Sequence, residues 1–266
     1  MARRDPPPMR KLDDPESIHY RDQLRAARYA ALADAEAFGD ICFALEALGL
    51  RLLGQQGDLK AYEDRIGLYA SMSPVLSELA RAMPSRFKTF DALYRTVRTA
   101  RNDAMHTGAY ARHATEAAIE LCIGLEEALM VGVRRSVGSI MVKSAITVDP
   151  WQPVAHVRQL MLMHSFSFLP ARQNDRWWLV SELGLAKFLN VGRDEKFRRL
   201  GMTIEQAEAE GLELVEVGET QLLTATMPLD DVLSGAKVKD GPMLWLVIDH
   251  ERTDRLAGVL SPFELM

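Results

Sequence analysis

The sequence predicts two domains of different class, an all-α helical bundle followed by an α/β domain. Three observations predict this. Apolar residues recur at threes and fours from about residue 18 to residue 133. Beyond that point the chain turns to short β-branched runs (SAITV, WWLV, LWLVI) alternating with single helical patterns. Between the two rhythms lies VGVRRSVGSI, a small and basic stretch without a strong period, which suits a joint. With 266 residues, 48% hydrophobic and 26% charged, the chain is long enough for both. The expected division is a polar tail at 1–15, a bundle at 16–133 and an α/β domain at 134–266.

The tail, MARRDPPPMRKLDDPES, carries a double arginine but runs into prolines and acids, with none of the apolar core of a secretory signal. The stretch YRDQLRAARYAALADAEAFGDICFALEALGLRLLG is rich in Ala and Leu and predicts one long helix, ended by Gly54 and the polar QQGDLK. AYEDRIGLYASM predicts a second helix closed at Ser73-Pro74, and the short VLSELARAM follows. After the break at Pro84-Ser85, FKTFDALYRTVRTARNDAMH predicts a helix stopping at Gly108, and ATEAAIELCIGLEEALM a last one. Short loops between amphipathic helices favour antiparallel neighbours, hence a bundle of four or five helices.

Several function classes lose ground. The most apolar stretch, AAIELCIGLEEALMVGV, is interrupted by three glutamates, so no membrane span is expected. Two cysteines, Cys42 and Cys122, sit far apart within helical patterns and read as buried thiols in a reducing compartment, with the cytoplasm as the expected location. There is no CxxC, HExxH or Asp-rich loop, so no metal site is expected. The formal charge of −5 argues against generic coating of nucleic acid. Yet Arg81, Arg86, Lys88, Arg95, Arg98, Arg101 and Arg112 face only Asp91 and Asp103 in the same stretch. That basic island is either a solvated helix face or an anion site.

Residues 145–184 read AITVDPWQPVAHVRQLMLMHSFSFLPARQNDRWWLVSELG. A strand ending at Asp149-Pro150, a helix, a strand ending at Leu169-Pro170 and the closing WWLVSELG resemble the first module of a CBS-domain pair. A looser second copy begins LLTATMPLDDVLSGA and ends LWLVIDHERTDRLAGVLSPFELM. The expected modules are at about 139–190 and 221–266, with a linker at 191–220. The resemblance implies an adenine nucleotide (AMP, ATP or S-adenosylmethionine) between the modules, held by the Thr/Ser and the acid of the closing motif. Ser261 and Glu264 occupy those places in the second copy; in the first, Ser181 is present but Gly184 replaces the acid. The alternative is that Ser261, followed by proline, only caps the last helix. CBS pairs also serve purely as dimerisation surfaces.

In RTARNDAMHTGAY, Arg101-Asn102-Asp103-Ala104-Met105-His106 resembles the Arg-Asn-x-x-x-His motif of the HEPN superfamily of helical-bundle proteins. With Arg101 at zero and about 100° per residue, Met105 falls near 40°, Arg98 near 60°, Asn102 near 100° and His106 near 140°. Leu93, Val97, Ala100 and Ala104 cluster on the opposite arc and should pack into the bundle, leaving the polar face turned away from it. In one related group a tyrosine follows the histidine by two residues; here Gly108 stands there and Tyr110 comes later. A second Arg-to-His spacing, Arg158 to His164, lacks the asparagine and reads as structural.

The HEPN resemblance implies a metal-independent endoribonuclease acting on single-stranded RNA through the substrate's own 2′-hydroxyl, with no cofactor for catalysis. His106 suits proton transfer, and Arg101 the charge of the crowded phosphorane. Asn102 would orient the ring or bind phosphate, and Arg98 would extend the anion contact. One histidine per chain favours a homodimer with two copies forming one site. Together the resemblances imply RNA as substrate, a nucleotide effector and a toxin or antiphage defence role. Two alternatives stand beside this: a non-catalytic scaffold under nucleotide control, and an ion pair from Arg101 to Asp103 or a neighbouring helix with His106 merely ending its helix.

Overall fold

The computed structural model describes residues 11–107, 112–133, 135–236, 243–252 and 254–265, and for 104–107 and 112 the backbone alone. The chain divides into two compact units, Met1–Arg134 and Arg135–Met266.

The first unit is helical. α1 (Asp14–Ala33) starts at Asp13, whose side chain accepts from the Glu16 N–H while Glu16 reaches back to the Asp13 N–H, a reciprocal capping box. The expected single helix through Gly54 is corrected here. Asp34 leaves the helix at φ −145° and ψ 118°, its carboxylate accepts from the Glu36 N–H, and a 3₁₀ turn at Ala35–Ala37 leads into α2 (Phe38–Leu53). Aspartate competes for nearby backbone donors, so an Ala/Leu-rich run breaks where it stands. Gly54, at φ 76°, closes α2 in the left-handed conformation. α3 (Leu59–Ala70) is capped by Asp58. A π turn (Val75–Leu79) and a short α4 (Ala80–Ala82) follow, then α5 (Phe90–Thr107) and α6 (Arg112–Leu129). Gly108, the expected stop, and Tyr110 lie outside the described residues.

α1 packs on α2 and α6, α2 on α3, and α5 on α6. Phe38, Leu45, Leu93, Val97 and Leu121 are buried in one continuous core, and dispersion and apolar burial there supply most of the bundle's cohesion. Two close approaches need glycine. A Cβ on Gly49 would lie 2.3 Å from the Tyr62 ring, and one on Gly124 2.3 Å from Leu76 Cγ. Between α1 and α6, the buried Glu126 carboxylate accepts from Arg28 Nε at 2.7 Å and Arg25 Nε at 3.2 Å, so a buried charge is paired on both oxygens. Cys42 and Cys122 are free and buried, and burial pushes the Cys42 thiol up to about 12 and raises Cys122 as well.

The second unit holds two copies of one strand–helix–strand–strand–helix order, the order that the sequence pattern implies. In the first copy Val148 bridges in parallel to Ala171, followed by α8 (Val154–His164), β2 (Phe168–Gln173), β3 (Arg176–Ser181) and α9 (Glu182–Phe188), after the lead-in α7 (Val137–Ile140) and β1 (Val142–Lys143). The stretch expected as a linker carries α10 (Arg193–Gly201), α11 (Ile204–Ala209) and β4 (Leu214–Glu216). The second copy is β5 (Leu222–Thr224), α12 (Leu229–Gly235), β6 (Trp245–Ile248), β7 (Leu256–Leu260) and α13 (Pro262–Leu265), with β5 parallel to β6 and β6 antiparallel to β7.

The lead-in strands are exchanged. β1, which precedes the first copy, pairs with β7 of the second, Val142 opposite Val259. β4, which precedes the second copy, pairs with β3 of the first, Leu214 opposite Val180. The sheets therefore run β1-β7-β6-β5 and β2-β3-β4, each completed by a strand from outside its own repeat.

Candidate functional site

The motif helix α5 is held by its apolar stripe, Leu93 and Val97 being buried, and by Tyr94, whose hydroxyl donates to the Leu59 carbonyl at 2.7 Å. That bond ties α5 to the first turn of α3. As a result Arg98, Arg101 and Asn102 share a depression of about 260 Å³ with Asp58, Leu59 and Lys60. Three of the four residues that the sequence picked out are thus brought together, and Lys60 joins them. His106 belongs to the final turns of α5, and its side chain lies outside the described residues.

The expectation that this face turns away from the bundle is corrected for Arg98 and Arg101, while Asn102 is exposed. Arg101 Nη2 donates to Glu46 Oε1 of α2 at 2.7 Å, and Arg98 Nη1 donates to Glu63 Oε2 of α3. Both guanidinium groups are only part-exposed. The physical reason is that α2 and α3 flank the apolar stripe closely enough for their own polar edges to reach round it. Carboxylates from outside the local sequence therefore offset part of the basic island. The alternative reading of Arg101, an ion pair to a neighbouring helix, is the geometry present. It leaves donors over, since a guanidinium carries about five N–H groups in a planar fork and Glu46 takes one of them.

A second depression, about 370 Å³, lies on another side of α5, lined by its Arg95, Thr96, Thr99, Ala100 and Asp103 with His113 and Ala114 of α6. Sequence reasoning missed Lys60, Glu46, Glu63 and His113, because each reaches its site from another helix and nothing in local spacing links it to the motif. The only available signal was Asp58, a helix cap that places Lys60 in the first turn of α3.

The three residues assigned to nucleotide binding all close helix starts. Ser181 caps α9, accepting from the Gly184 N–H at 3.0 Å. Ser261 Oγ donates to Glu264 Oε2 at 2.6 Å, the same oxygen accepts from the Ser261 N–H at 2.8 Å, and Ser261 Oγ accepts from the Phe263 N–H at 3.3 Å. To meet a ribose, Glu264 would have to share or leave Ser261. Gly184, in the place of the motif's acid, has a local cause: a Cβ there would lie 2.7 Å from the Glu213 carbonyl oxygen, so no side chain fits. Arg158 is exposed on α8, and the His164 ring stacks on Phe166 with centroids 5.1 Å apart, a structural use of that second Arg/His spacing. Among the described residues no group of three or more His, Cys, Asp or Glu side chains could hold a metal ion, and no helix is long and apolar enough to cross a membrane.

No family model matches the chain, and no curated protein matches it. Solved structures do. A putative acetoin utilization protein (AcuB) from Vibrio cholerae is similar over 49% of this chain and 87% of its own, at 12% identity and a TM-score of 0.37. A CBS domain-containing protein from Bacillus anthracis str. Ames Ancestor is similar over 50% of this chain and 90% of its own, at 16% identity and a TM-score of 0.38. CBSX2, solved in complex with AMP, is similar over 49% of this chain and 92% of its own, at 16% identity and a TM-score of 0.35.

Proposed function

We propose that the helical unit is a metal-independent endoribonuclease acting on single-stranded RNA, and that the α/β unit senses an adenine nucleotide that regulates it. One observation carries the first part: Arg98, Arg101 and Asn102 converge with Lys60 on a single depression. That set suits one phosphodiester. The two arginines offer planar forks to non-bridging oxygens, Lys60 adds a point charge, and Asn102 supplies a neutral donor and acceptor. In this reading His106 moves the proton at the 2′-hydroxyl or the leaving 5′ oxygen, a contribution typically of about 10²- to 10⁴-fold. Two copies of the chain supply the second imidazole. The sensor reading rests on the repeated strand–helix order and its resemblance to a CBS pair; Ser261, Glu264 and Ser181 are its candidate contacts.

A second reading is favoured by the ion pairs of Arg98 with Glu63 and of Arg101 with Glu46, which would serve a non-catalytic scaffold equally well. The deciding experiment is cleavage of single-stranded RNA in chelator-treated buffer by the intact chain, by His106→Ala and by Arg101→Ala, with and without AMP, ATP or S-adenosylmethionine. Activity lost in both variants supports the nuclease; no cleavage under any nucleotide supports the scaffold. A melting curve unmoved by all three nucleotides removes the sensor, because ligand at 100 times its dissociation constant stabilises by about 2.7 kcal/mol.

A further inference from the structure

We propose that the depression of about 370 Å³ between α5 and α6 is a base-recognition pocket that takes a guanine of the RNA strand whose phosphate occupies the neighbouring Lys60–Arg98–Arg101 depression. This rests on the RNA reading above and deepens it by naming what the strand must contain. The two depressions use different sides of one helix, and an α-helix with its side chains is only about 10–12 Å across. A nucleotide with its phosphate in one therefore has its own base, or its neighbour's, beside the other.

The linings differ in kind. Among the described residues the phosphate depression sets Lys60, Arg98 and Arg101 against the single carboxylate of Asp58, whereas the second sets Arg95 against Asp103, with the imidazole of His113 and the hydroxyls of Thr96 and Thr99 beside them, over the methyl groups of Ala100 and Ala114. Ala114 is buried and Ala100 half-buried, so they form an apolar floor that suits the face of a ring. A phosphate placed there would meet Asp103 with one arginine to offset it, whereas three cations offset Asp58 in the first depression. A neutral planar ligand with donors on one edge and acceptors on the other would not.

Guanine has that pattern. Its N1–H and N2 amino group point the same way and match the two oxygens of a carboxylate, while O6 and N7 accept from an arginine fork. Uracil presents one N–H between two carbonyl oxygens, which would face Asp103 with like polarity. Adenine and cytosine offer an amino group without an adjacent N–H. Asp103 has interactions within the protein, and a bound guanine would share the carboxylate with them, which its roughly four acceptor sites allow in principle. Single-stranded RNA is read in this manner, with bases unstacked, set against side chains and bonded along their edges.

Binding can be measured apart from cleavage with 2′-O-methyl oligonucleotides, which lack the nucleophile. The full chain is titrated with a fluorescent oligouridine containing one guanosine, and with versions carrying adenosine, inosine or only uridine at that position. The guanosine oligonucleotide is expected to bind about tenfold more tightly than the all-uridine one, with inosine, which lacks the N2 amino group, in between. Asp103→Asn and Arg95→Met should each remove that difference while affinity for oligouridine stays. Equal affinity for all four oligonucleotides, a guanosine preference that survives in Asp103→Asn, or no binding at all would overturn the proposal. If ordinary RNA is cut without regard to guanosine, the pocket fails and the nuclease stands. If no RNA is cut but the guanosine preference follows Asp103, the nuclease fails and the pocket stands.

Discussion

The guanidinium of Arg101 is held by the carboxylate of Glu46 at 2.7 Å, across the contact between α5 and α2. An arginine already facing an acid is oriented but partly discharged, so this pair sets how strongly the depression attracts phosphate. Replacing Glu46 by Gln removes the charge and keeps the shape. The variant is expected to bind 2′-O-methyl oligouridine about three- to tenfold more tightly than the parent, with a steeper salt dependence. Its melting temperature should hardly move, since part-exposed pairs contribute about 0–1 kcal/mol. Unchanged affinity would exclude Arg101 as an anion contact.

Gly124 on α6 faces Leu76 of the π turn so closely that a methyl group has no room. Gly124→Ala is expected to destabilise the chain by about 1–3 kcal/mol through overpacking, measured by urea unfolding. Pairing it with Leu76→Ala should recover part of the loss, because the second change empties the space that the first one fills.

Why some of this could be read from the residues, and some not, follows from where each determinant lies. Leu93 and Val97 could be assigned to the core because a helix buries one stripe, and period alone identifies it. The outward direction of Arg98 and Arg101 was misread, because a helical wheel shows the apolar arc but not how far neighbouring helices wrap around it. Glu46 and Glu63 are the residues that decide the matter, and both lie on other helices. The break at Asp34 was concealed by alanines on both sides that keep the period intact. In the second unit the order of strands and helices was legible in each repeat. The exchange of β1 and β4 was not, since strands of two and three residues carry no pattern of their own.

Both thiols should be inert in the folded chain. Burial raises Cys122 and pushes Cys42 up to about 12, and the thiolate is the reactive form. At pH 8 a thiol-specific chromogenic reagent is expected to label neither residue within the time that it fully labels both in guanidinium chloride. Rapid labelling of the native chain would mean that α2 or α6 opens locally.

On α10, Arg198 and then Arg199 hydrogen-bond the Glu195 carboxyl and hold it at about 2. Because the folded value lies below the unfolded one, this contribution is complete above the ordinary carboxylate range and fades as pH falls through it towards about 2. The melting temperature of Glu195→Gln should therefore lie below that of the parent at pH 7, and the gap should close on acidification between pH 4.5 and 2. A gap independent of pH would show that packing, not charge, is responsible.

The pairing of Val142 with Val259 has a consequence for biosynthesis. During translation the first strand of the unit leaves the ribosome long before the residues that it must join, and its edge stays unsatisfied until more than a hundred further residues, through β7, have been made. Such distant pairing slows closure and lengthens exposure to aggregation. A product terminated before β7 thus lacks more than that strand: it also leaves β1 without its partner, and the sheet β1-β7-β6-β5 cannot form.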